Sequence, residues 1–177
     1  MIRVESLLSA RLFLRPQLLD DRIYFLSNLS GHISLYGMDY GGSVPEPLLP
    51  PNIALQNPHL IGGKSFFIFP KLNKILVMID KDGDENYQPM TIPMDGGFPE
   101  PTFNNFFKDY RVHLGPCYPK DNIALLFAES RSEPLNETYL GKLDSGELIK
   151  MASSQWGAFP GSINSSYSLA TLIEGYT

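Results

Sequence analysis

The sharpest local chemistry in the 177-residue sequence is the run Asp80-Lys81-Asp82-Gly83-Asp84-Glu85. Three carboxylates at alternate positions suit a hard cation, because calcium takes several oxygen ligands converging on one point. Asp80, Asp82 and Asp84 are therefore a candidate calcium loop. The order departs from a helix-loop-helix calcium site: glycine stands between the second and third acids, and Thr91 holds the twelfth position. The competing reading is an Asp/Gly hairpin turn with a solvated acidic tip, and the residue order favours it.

The remaining reactive types carry less. His32, His59 and His113 are far apart in sequence and lack metal-ligand spacing. They read as structural or surface residues unless the fold gathers them. Cys117, the only cysteine, lies in Gly115-Pro116-Cys117-Tyr118-Pro119 with no helix start or cationic cluster to activate a thiolate. It forms no internal disulfide. Phe103, Phe106, Phe107 and Tyr110 crowd into nine residues; such rings either wedge between packed sheets or form an exposed recognition loop, and the wedge is the expectation. No Gly-x-Ser-x-Gly elbow occurs, so no catalytic residue is assigned.

The elements that must hold these residues form a repeat. Met38-Asp39-Tyr40-Gly41-Gly42 returns as Met94-Asp95-Gly96-Gly97, and more loosely as Leu143-Asp144-Ser145-Gly146. Asp and Gly supply the left-handed positions that tight hairpins need. Upstream of each lies a continuous apolar run: Arg22 to Ser27, Lys74 to Asp80, Asn122 to Ala128, with Ser166 to Leu172 as a fourth copy. Such runs suit strands buried on both faces. A weaker strand precedes each one, at Arg11–Leu14, Ser65–Phe69, Val112–Leu114 and Ala158–Phe159. Four strands in roughly 50 residues is the period of a propeller blade. The fold class predicted is all-β, a partial β-propeller of about three and a half four-stranded blades. The blades fall approximately at 10–50, 64–102, 111–152 and 157–177, the last incomplete, in one domain 1–177. A β-sandwich would not require the same turn words to recur in register.

Composition bounds the function. Fifteen glycines and fifteen prolines fit many short elements joined by turns. Fourteen basic residues against nineteen acidic ones give a net charge of -5 and no basic stripe, which argues against nucleic acid. The apolar runs are too short to cross a bilayer as helices. With no signal-like N-terminus and one cysteine, a cytoplasmic location is expected. The triplets at Asn28, Asn136 and Asn164 then read as chance matches to a glycosylation motif.

Asp21 to Ser27 followed by His32 to Gly42 resembles a blade of the TolB-like propellers, which also form the N-terminal domains of prolyl oligopeptidase-type serine peptidases, acylaminoacyl peptidases included. The loop Asp80 to Gln88 is similar to a second-to-third-strand loop of that group. The resemblance covers roughly residues 10–177 and is specific for blade type. It implies a non-catalytic propeller segment that caps or gates a hydrolase domain in a longer protein, the hydrolase carrying the catalytic residues. The alternative is a stand-alone protein- or ligand-binding propeller, completed by self-association or further blades. A channel-sited lyase or glycosidase would need acids or histidines gathered at channel-facing strand ends, and no such cluster is visible in the sequence. The partners expected are the remaining blades and a hydrolase domain, or a second copy, with no cofactor beyond the candidate calcium.

Overall fold

A computed structural model describes residues 11–59, 64–81 and 83–175. The architecture is all-β. Sheet 1 is a meander of β1 (Phe13–Leu19), β2 (Arg22–Ser27), β3 (Ser34–Asp39) and β4 (Glu46–Pro47). Sheet 2 runs β5 (Ala54–Leu55), β7 (Lys74–Asp80), β8 (Gln88–Pro93) and β9 (Glu100–Pro101), with β6 (Phe66–Phe69) also pairing β7. Sheet 3 consists of β10 (Tyr110–Tyr118), β11 (Ile123–Ser130), β12 (Asn136–Lys142) and β13 (Glu147–Ser154). Sheet 4 has two strands among the described residues, β14 (Phe159–Ile163) and β15 (Ala170–Ile173). Every pairing is antiparallel. This is the predicted three and a half blades.

The repeated Asp/Gly words occupy one structural place, the turn between third and fourth strands of sheets 1 to 3. Gly42 (φ 95°) and Gly146 (φ 71°) take the left-handed conformation that a side chain disfavours.

The first three continuous apolar runs are the second strands of sheets 1 to 3, each flanked by partners on both edges. Their alternate residues face opposite neighbours, which explains why they do not alternate with polar residues. Ile75 and Val77 pack toward sheet 1 with Tyr24, Leu26, Leu35 and Phe66. Leu76 and Met78 pack toward sheet 3 with Val112, Leu126 and Tyr139. On β11, Ala124, Leu126 and Ala128 face sheet 2, while Ile123 and Leu125 join the cluster that takes in Ile163 and Tyr167 of sheet 4. The core is a row of inter-sheet layers. Burying each such Leu or Ile is worth about 1.5–3 kcal/mol.

The first strands lie nearest one another across neighbouring sheets. Gln17 Nε2 donates to Phe66 O at 3.3 Å, Lys64 Nζ donates to Gly115 O at 3.3 Å, and β10 touches β14. These strands form the inner wall of the arc. Each is broken by residues that double up opposite a single partner: Arg15-Pro16 in β1, Gly115-Pro116 in β10 and Gly161-Ser162 in β14. In sheet 2 the break is longer. Gln56 N donates to Met78 O, and Met78 N donates to Ser65 O, so the chain leaves and rejoins the wall opposite one residue. Ser65 Oγ donates to Gln56 O at 2.7 Å across the base of this excursion. Such bulges turn the edge and relieve the pairing that Pro16 and Pro116 cannot make.

Candidate functional site

The inner wall gathers chemistry that sequence spacing concealed. Arg111 and His113 stand two apart on β10 and therefore share a face. Arg111 pairs across the ladder with Glu129 of β11. His113 is 4% exposed, and its Nδ1 lies 3.0 Å from Gln56 Nε2, at the point where sheet 2 is interrupted. With the amide donating to Nδ1, the imidazole proton resides on Nε2, which faces Glu129 Oε1 at 3.5 Å. Arg111 closes the chain, 3.8 Å from Glu129 and 3.7 Å from Glu85, with its Nε donating to Glu85 O at 2.9 Å. The approach of His113 Nε2, supported by the nearby Arg111 guanidinium, outweighs burial and holds the Glu129 carboxyl below its ordinary range.

Two concavities flank this relay. On one side, about 300 Å³ is bounded by Glu85, Asn86, Arg111, Glu129 and Arg131. On the other, about 250 Å³ opens between the first strands of sheets 3 and 4, lined by Lys64, His113, Pro116, Phe127, Phe159 and Pro160. Here His113, Phe127 and Phe159 form a column: His113 to Phe127 at 6.0 Å and 25°, Phe127 to Phe159 at 4.3 Å and 28°. Two buried polar atoms at the root of the column, Gln56 Oε1 and His113 Nε2, lack a well-formed hydrogen bond. Such atoms are uncommon in a structural core.

The residues singled out from sequence are dispersed. Asp80 and Asp84 lie at the β7–β8 loop, and Asp82 falls outside the described residues. Asp80 Oδ1 accepts from Glu85 N at 3.1 Å, and Asp84 Oδ1 accepts from Asn86 N at 2.8 Å. Both carboxylates thus cap the loop's own backbone, as Asp does in tight turns. Among the described residues no three metal-ligating side chains converge. His32 sits half-buried in the β2–β3 loop and His59 is exposed, so neither joins His113. Burial pushes the Cys117 thiol up to about 12 against the lowering influence of Lys64.

The aromatic run wedges between sheets 2 and 3. Phe103 and Phe107 are 3% and 1% exposed, and Phe106 stacks on Tyr110 at the rim. Beneath them Glu137, 1% exposed, accepts from Tyr110 Oη at 2.9 Å and Tyr139 Oη at 2.8 Å, and pairs with Lys150. Burial raises the Glu137 pKa, but these three donors outweigh it and the net shift is downward. No helix among the described residues is long and apolar enough to cross a membrane.

The signal for the His113 relay was weak in sequence. Arg111-x-His113 alternation marks one face of a strand, but Gln56 and Glu129 reach it only through sheet packing.

No protein-family model matches the chain, and no curated protein does. Solved structures do. A puromycin-hydrolysing peptidase of Mycobacterium tuberculosis superposes with a TM-score of 0.62 at 12% identity, over 85% of this chain and 23% of that one. A protein described as TolB from Agrobacterium tumefaciens gives 0.60 at 17% identity, over 94% and 63%. A chain of a nidogen/laminin complex gives 0.57 at 11% identity, over 93% and 57%. The chain thus spans less than two thirds of each of these structures. At such low identity the likeness speaks to fold alone, and with the stacked four-stranded sheets it establishes that fold as a TolB-like β-propeller.

Proposed function

We propose that the chain is a non-catalytic propeller segment that caps or gates a prolyl oligopeptidase-like hydrolase within a longer cytoplasmic polypeptide. The observation that carries this reading is the incomplete fourth sheet. Sheets 1 to 3 have four or five strands and bury their second strand almost completely, whereas β15, the equivalent strand of sheet 4, leaves Leu172 and Ile173 40% and 65% exposed. A third strand on its open edge would cover them, as β12 covers β11. The likeness to a peptidase of which this chain matches 23% supports a hydrolase as the neighbour. The cytoplasmic setting rests on the single cysteine and the sequence expectation.

A ring completed by a second copy is less well supported. Among the described residues each copy would bring β14 and β15, the first and second strands of a blade, and no third or fourth. Binding to a different protein through the propeller faces remains the alternative function.

The test is hydrolysis by the polypeptide encoded in the natural reading frame around this segment. It should cleave short aminoacyl- or acylaminoacyl-nitroanilides, be blocked by a serine-directed inhibitor, and accept longer peptides once the propeller is deleted. A frame that encodes no Gly-x-Ser-x-Gly elbow would sink the proposal.

A further inference from the structure

We infer that the pocket between the first strands of sheets 3 and 4 binds a planar aromatic group carrying a carboxylate, such as an aromatic residue at the C-terminus of a peptide. The site lies on this chain's own inner wall, and the inference stands whether or not a hydrolase domain is attached.

Three features specify the ligand. The first is the aromatic column. His113 and Phe127 are 4% and 2% exposed, but Phe159, the third member, is 39% exposed and among the described residues stacks on Phe127 alone. A further ring can extend the column, since aromatic pairs favour offset stacking at these separations. The second is the wall. Leu114, Pro116 and Pro160 bound the cavity with apolar surface, and about 250 Å³ has room for one ring and its immediate substituents. The third is charge. Among the described residues that line the cavity Lys64 is the only one with a formal charge, and its Nζ donates to the O of Gly115, itself a lining residue. An ammonium beside an apolar wall favours a ligand with an anionic group. Glu129, which faces His113, is engaged with Arg111, as is Glu85, and both line the other concavity.

Placement supports a binding role over a packing one. The column crosses from sheet 3 to sheet 4 on the side where first strands converge, so a molecule held there sits against the axis of the arc. His113 is fixed from behind by Gln56, which keeps the base of the column in register.

The experiment is a titration of the intact 177-residue chain, followed by two-dimensional amide NMR. The probes are N-acetyl-L-phenylalanine, its neutral carboxamide, and N-acetylglycine. The aromatic acid should produce saturable shifts centred on His113, Phe127 and Phe159. The neutral amide and the ringless acid should each bind about fivefold more weakly, the scale of one ring contact or one charge-assisted contact. Phe159→Leu should weaken the aromatic acid about fivefold, and Lys64→Gln should erase the preference for acid over amide. If Phe159→Leu fails to fold, Lys64→Gln, a change in an exposed side chain, still decides. The inference is overturned by equal binding of acid and amide to the unaltered protein, by full binding to a folded Phe159→Leu variant, or by a Lys64→Gln variant that keeps the acid preference. Absence of any saturable shift at these residues up to about 20 mM probe also overturns it.

Discussion

Gly141 lies against the edge of the Phe103 ring: a Cβ at position 141 would stand 2.6 Å from Phe103 Cζ. Gly141 is in the third strand of sheet 3, and Phe103 belongs to the turn that leaves sheet 2. The wedge between these sheets therefore depends on the missing side chain. Gly141→Ala should destabilise the protein by about 1–3 kcal/mol, the usual cost of overpacking a filled core. A urea midpoint unchanged from the parent protein would show that the ring has room to shift.

Leu76 and Ile75 are neighbours in sequence but belong to different inter-sheet layers. Both are fully buried. Leu76→Ala should cost about 2–5 kcal/mol through the cavity it leaves. Its effect on amide exchange should be greatest at the sheet 2–sheet 3 layer, and that of Ile75→Ala at the sheet 1–sheet 2 layer. Identical exchange patterns for the two variants would contradict the layered core.

Glu137 and Glu129 are both held ionised below their ordinary range. A carboxylate with a lowered folded-state pKa adds stability above its unfolded value, near 4.3, and that stability is lost as pH falls through the folded value. Thermal midpoints should therefore fall from about pH 4.5 downward. Glu137→Gln should be less stable than the parent at pH 7, with a shallower loss on acidification. Parallel pH profiles for the two proteins would remove Glu137 from the acid response.

Cys117 should be inert in the native state. With a thiol pKa of about 12, roughly one molecule in ten thousand carries the thiolate at pH 8. Alkylation by iodoacetamide should be slow until urea unfolds sheet 3. A native rate close to that of a free thiol would show the burial argument wrong.

Among the described residues β15 pairs with β14 alone, and its other edge is expected to limit solubility. Ala170-Thr171-Leu172-Ile173 has no charge or proline to discourage pairing with another chain. Ile173→Lys should reduce aggregation measured by light scattering, with a change in unfolding free energy within about 0.5 kcal/mol, as for a surface site. Unaltered aggregation would place the adhesive surface elsewhere.

Much of the architecture was written in local patterns. β2 and β7 span Arg22–Ser27 and Lys74–Asp80, the bounds of the apolar runs themselves, because a strand buried on both faces must be apolar throughout. The Asp/Gly words marked the ends of the third strands, because glycine alone takes the left-handed backbone there without strain. The extent of the first strands was less legible. β1 and β10 run through Pro16 and Pro116, which read locally as stops, and only the bulge opposite Phe25 or Leu125 lets the ladder continue. The fourth copy was read from Ser166, but β15 begins at Ala170, since Asn164 caps a turn through Ser168 and Leu169.

The chemistry followed the opposite rule. Asp80 and Asp84 attracted attention because they are close in sequence, and each caps its own loop. Gln56, Lys64, His113, Glu129 and Phe159 are spread over more than a hundred positions, and convergence of inner strands from three sheets brings them together. Side-chain period and turn chemistry act over a few residues, so the chain alone determined the strands, their hairpins and the blade repeat. Which distant side chains share a wall depends on how whole sheets stack, and that was decided only by tertiary packing.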